Sequence, residues 1–162
     1  MTSVQSEKTG TETRFGITIV DREDHDRQSL HFSSIAGQAS PAAFKALVIR
    51  MAQKTITGYD SQKWIYACTP KGEEFMYPAM GHDCEVHTIM GYGMSQLPQE
   101  LAGLTATALA ILGVLETPGD STQEMTDEEH DRWLEAYHRL MDEGRDIAKR
   151  AGCLQPFFDV TK

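Results

Sequence analysis

The chain has 162 residues, 40% of them hydrophobic, and its 24 Asp and Glu outnumber 15 Lys and Arg for a formal net charge of −9. That length holds one ordinary core and not two, and the acidic balance opposes nucleic-acid phosphate, so direct DNA binding is disfavoured. Duplex DNA carries roughly one charge per 1.7 Å of axis, a density that −9 spread over a whole domain falls far short of, so mimicry of DNA is disfavoured as well.

Residues 1–13 (MTSVQSEKTGTET) are small and polar and cannot offset the entropy of being ordered, so a flexible tail is expected, followed by a single domain over 14–162. Phe15, Ile17 and Ile19 alternate with Gly16 and Thr18, which predicts a short strand over Arg14 to Val20. The mixed charges of Asp21 to Arg27 suit a solvated loop or a first helical turn, with His25 exposed. Ser40-Pro41 is a helix start, because serine caps and proline at the first helical position gives up no needed hydrogen bond. Phe44, Leu47, Val48 and Met51 then supply an apolar stripe, and Gly58 is the expected terminator.

Trp64 and Tyr66 share one face of an extended segment, Phe75 and Tyr77 repeat the spacing after Pro70-Lys71-Gly72, and a hairpin follows. Val86, Thr88 and Met90 predict a third strand, broken by Gly91-Tyr92-Gly93. A long apolar helix is expected from Ser95 or Leu97 to about Glu116, with Pro98 in its first turn and Pro118-Gly119 as its stop. Its Gly103 costs about 1 kcal/mol of helix propensity relative to alanine, which implies close approach of another backbone. Thr126 and Glu129 make a capping box for a third helix whose apolar face runs from Trp133 to Ala148 and whose terminator is Gly152. Phe157, Phe158 and Val160 make the C-terminal stretch too apolar for water, so it should dock or meet a partner.

Chemistry is hard to place in this pattern. His82, Cys84, Glu85 and His87 could ligate a metal, but strand alternation sends them to opposite faces, so no metal and no cofactor is expected. Glu73-Glu74 are adjacent in a turn and are expected to be solvent-exposed. Cys68, Cys84 and Cys153 are odd in number and widely spaced, which predicts reduced thiols without a bridge. No run reaches the roughly 20 apolar residues of a membrane span and no signal peptide opens the chain, so a cytoplasmic location is expected. No Walker loop, dinucleotide fingerprint or nucleophile elbow is present. Tyr59, Trp64, Tyr66, Phe75 and Tyr77 could stack single-stranded bases, but with only Lys63 and Lys71 nearby they read as hairpin and core packing.

The succession Tyr59-Asp60, Trp64-x-Tyr66, Gly72, Phe75-Met76-Tyr77-Pro78, Gly91-Tyr92-Gly93-Met94-Ser95 and Ala102-Gly103-Leu104 resembles the central block of the ArdB/KlcA antirestriction family of plasmids and other mobile elements. Tyr137-His138-Arg139-Leu140 resembles that family's Tyr-His-x-Leu helix, and Leu30-His31-Phe32 echoes its early Phe-Leu-Pro segment. Ser61-Gln62-Lys63 and Glu73-Glu74 stand where the family has glycines, so the loops differ while the strand cores agree.

The pattern of elements predicts an α+β domain, with an antiparallel sheet of three or four strands packed against three to four helices. The resemblance implies a non-enzymatic inhibitor of a host type I restriction system that works through protein contact. A plasmid or phage interaction module aimed at another host defence is the alternative. The expected contact residues are Lys71, Glu73 and Glu74 in the hairpin turn and Asp127, Glu128, Glu129 and Asp131 at the acidic start of the third helix.

Overall fold

A computed structural model describes residues 11–12, 14–36, 40–60, 63–88, 93–116 and 125–161. Tail residues 1–10, the breaker at 91–92 and the Pro118-Gly119 stop lie outside the described residues. In chain order the elements are β1 (Thr11–Glu12), a 3₁₀ turn (Arg14–Gly16), β2 (Thr18–Ile19), α1 (His25–Leu30), α2 (Ser33–Ala36), α3 (Pro41–Thr55), β3 (Trp64–Cys68), β4 (Glu74–Pro78), β5 (Cys84–His87), β6 (Met94–Leu97), α4 (Gln99–Glu116), α5 (Asp127–Ala151) and α6 (Leu154–Thr161).

The α+β expectation holds: four antiparallel strands in the order β1-β2-β3-β4 form the larger sheet. Thr11 and Glu12, assigned by sequence to the flexible tail, pair with Ile19 and Thr18. The strand expected over Arg14 to Val20 is shorter than its alternation suggested, because Phe15 and Gly16 take positive φ and turn the chain before Thr18. The predicted β3–β4 hairpin forms, with a register that runs from Trp64 opposite Pro78 to Cys68 opposite Glu74.

A second correction concerns the third strand. β5 does not extend the hairpin; it pairs with β6 in a separate two-stranded sheet, Cys84 opposite Leu97 and His87 opposite Met94. The long helix expected from Ser95 or Leu97 begins instead at Gln99, because Met94–Leu97 is a strand and Pro98 marks the boundary.

Helix starts follow their sequence signals. Ser40 accepts from the Ala43 amide ahead of Pro41, and Thr126 and Glu129 form the reciprocal capping box of α5. At the other end of α5, Gly152 adopts the left-handed conformation at φ 73° that such a terminator requires. α6 docks through Phe157 and Val160, while Phe158 stays 38% exposed.

The core is organised by α4 and β4. Leu101, Leu104, Ala108 and Ile111 of α4 are buried against β4, α3 and α5. By length and composition α4 could cross a membrane, contrary to the sequence expectation, but most of it is inside the fold. A Cβ on Gly103 would overlap the Tyr77 backbone and the Met76 carbonyl, so the glycine is what lets helix and strand meet backbone to backbone. Thr107 Oγ1 completes that contact, accepting from the Met76 amide at 3.3 Å and donating to the Gly103 carbonyl at 2.9 Å. Next along β4, Pro78 has no amide hydrogen, and its carbonyl accepts from Met80 at 2.9 Å.

Candidate protein-interaction surface

The β3–β4 turn is built by Thr69, whose carbonyl accepts from the Gly72 amide at 2.8 Å and whose hydroxyl accepts from the Glu73 amide at 3.0 Å. Gly72 takes the left-handed φ of 94° that the turn needs. The turn does not stand free. Glu143 of α5, 4% exposed, accepts from the Lys71 amide at 3.0 Å and lies 4.0 Å from its ammonium. Glu73 pairs with Arg139 of α5 at 3.0 Å, and only 19% of its side chain is exposed.

Glu74 turns inward as well. One carboxylate oxygen accepts from the Phe32 amide at 2.9 Å and the other lies 3.5 Å from His31 Nδ1. His31 is 2% exposed, stacks on Tyr66 at 5.2 Å and shares its Nε2 hydrogen with the Phe75 carbonyl at 2.9 Å. Burial lowers the His31 pKa to about 4 and raises that of Glu74 above its ordinary value. With Nε2 donating, Nδ1 carries a lone pair toward Glu74, so a hydrogen bond between the two would need a proton on one of them. Lys45 closes the cluster from α3, its ammonium 2.6 Å from the Gln28 carbonyl and 4.6 Å from the Tyr66 ring centre.

Of the hairpin residues expected to be free for a partner, only Lys71 therefore keeps an exposed side chain. The expected solvent exposure of Glu73 and Glu74 is corrected, because the turn packs on α5 and on the α1–α2 junction instead of projecting into water. At the start of α5 the expectation fares differently. Asp127, Glu128 and Asp131 are exposed, whereas Glu129 is committed to the cap, where the Thr126 amide holds its carboxylate below the usual range. The turn and the acidic start are joined by one helix but separated along it: from Asp131 to Arg139 is about 12 Å at 1.5 Å per residue.

Farther along α5 is a half-open cleft of about 250 Å³ against α6, lined by Tyr137, His138, Met141 and Arg145 and by Phe157 and Phe158. The sequence pointed to the apolar tail but not to this partner element, since nothing in a linear pattern says which helix face α6 meets.

Catalytic groupings do not emerge among the described residues. Cys84 and Val86 face inward on β5 while Glu85 and His87 are half-buried on its other face, and no three His, Cys, Asp or Glu side chains converge in metal-binding geometry. Burial pushes the Cys68 and Cys84 thiols up to about 11, away from nucleophilic thiolate character. Phe75 and Tyr77 are buried in the core; Trp64 is half-buried and donates from Nε1 to the Tyr59 hydroxyl at 3.0 Å.

No protein-family model matches the chain, and no curated protein matches it in sequence. Among solved structures, it is similar to one reported for the KlcA and ArdB proteins, which show a novel fold and antirestriction activity against type I DNA restriction systems in vivo but not in vitro. The similarity has a TM-score of 0.66 at 19% identity and covers 92% of this chain and 99% of that one. The chain has the KlcA/ArdB fold.

Proposed function

We propose that this protein is a non-enzymatic antirestriction factor of a mobile element that blunts a host type I restriction system in the cytoplasm by protein contact. The observation that carries the proposal is the near end-to-end similarity to a fold whose solved representatives have antirestriction activity in vivo. The net charge of −9 supports a protein partner over DNA, since phosphate contact would be repelled. The contact surface we assign is the exposed acidic start of α5, Asp127, Glu128 and Asp131, where charge governs association rate and partner choice.

The test is plating efficiency of unmodified phage on hosts that carry a type I system, with and without the expressed protein. Protection is expected, and it should fall when Asp127, Glu128 and Asp131 are reversed to lysine while the thermal midpoint stays near that of the parent. Absence of protection against every type I system tried, or micromolar binding to duplex DNA at physiological salt, would overturn the proposal.

A further inference from the structure

One line of exposed side chains on α5 carries charges in an order that matches its own reversal. Asp131, Glu135, His138, Asp142, Arg145 and Lys149 are all exposed, and at 3.6 residues per turn they fall within about 40° of a single line along the helix. Laid antiparallel against a second copy with the crossing level with residue 140, Asp131 meets Lys149, Glu135 meets Arg145, and His138 meets Asp142. Each pairing occurs twice, as an isologous two-fold contact requires. Glu135 and Lys149 have no ion-pair partner among the described residues, while Arg145 already leans on Asp142 of the same helix.

The α5–α6 cleft adjoins this line, sharing His138, Asp142 and Arg145 with it. A two-fold axis perpendicular to two antiparallel helices keeps each cleft on the same side, so the two clefts would face one another. Phe158 is 38% exposed at that place, which gives the contact an apolar centre that exposed ion pairs alone would not supply.

We propose that this face of α5, with the cleft beside it, is a self-complementary surface that pairs two copies of the chain. The whole-chain charge of −9 works against association, but the line itself carries three carboxylates against two cations, and charges farther away than the roughly 8 Å Debye length are screened at physiological salt. This inference does not depend on the antirestriction proposal, because it concerns the free protein.

Sedimentation of the full chain at physiological salt, from micromolar to millimolar concentration, should show the mass rising from 18.1 kDa toward twice that value. Two charge-reversed variants, D131K/E135K and R145E/K149E, should each weaken the association by about tenfold or more, because like charges then face each other. Mixing the two variants should restore it, since lysines of one then meet glutamates of the other. Circular dichroism checks that both remain folded, and R145E alone serves if a double variant does not. A monomer throughout, a dimer indifferent to both variants, or a mixture that fails to recover would each overturn the inference.

Discussion

His31 and Glu74 are two ionisable groups that meet at the hairpin, 3.5 Å apart, the first buried and the second largely so. For His31 the folded pKa of about 4 lies below the ordinary 6.5, so between those values the unfolded chain binds more protons than the folded one. Stability contributed by neutral His31 is therefore intact above pH 6.5 and is lost as pH falls toward 4, by up to about 3 kcal/mol at 1.36 kcal/mol per unit. Glu74 has the opposite sign: its pKa is raised, so its contribution is present below 4.5 and declines as pH rises through the folded value. Lys45 of α3 and Arg27 of α1 also disfavour charging His31. Urea unfolding between pH 7 and pH 5 should show the parent losing more stability than His31→Gln, which removes the titration and can still donate to the Phe75 carbonyl. Equal losses would mean that His31 takes up its proton in the folded state without penalty.

At the scale of elements, α4 and β4 make the tightest demand. Gly103→Ala improves helix propensity by about 1 kcal/mol yet drives a methyl into the β4 backbone, so a net loss of about 1 to 3 kcal/mol is expected. A gain in denaturation midpoint would show that helix and strand can separate without cost. Trp133 is 3% exposed, packs on Phe44 at 5.2 Å, and should cost about 3 to 5 kcal/mol when truncated to alanine. Half-buried Trp64 should cost less, so the order of the two midpoints tests which tryptophan anchors the core. Local signals such as Ser40-Pro41, the Thr126 box and Gly152 were legible because each acts within one turn of chain. The partner of β5 was not, since Met94–Leu97 is as compatible with a helix start as with a strand until its pairing with Cys84–His87 is known. The Glu73 and Glu74 positions failed for the same reason, their partners being 66 residues away at Arg139 and 42 away at Phe32.

For the molecule as a whole, the N-terminal strands are tied to the core by Arg14, whose guanidinium grips Glu100 of α4 at 2.9 and 3.0 Å. Glu100 is 3% exposed, so Arg14→Ala would strand a carboxylate inside the fold, and a loss of about 3 kcal/mol or more is expected from chemical unfolding. A change under about 0.5 kcal/mol would mean that water reaches Glu100 once the arginine is gone. The seam between α4 and β4 also limits how another protein can approach. Thr107 occupies the outward amide of Met76, α4 meets the strand backbone to backbone at Gly103, and Pro78 offers no amide hydrogen, so an incoming strand would find no main-chain ladder to extend along β4. At β4, therefore, α4 already fills the place a recruited strand would take, and another protein must be met on a different face.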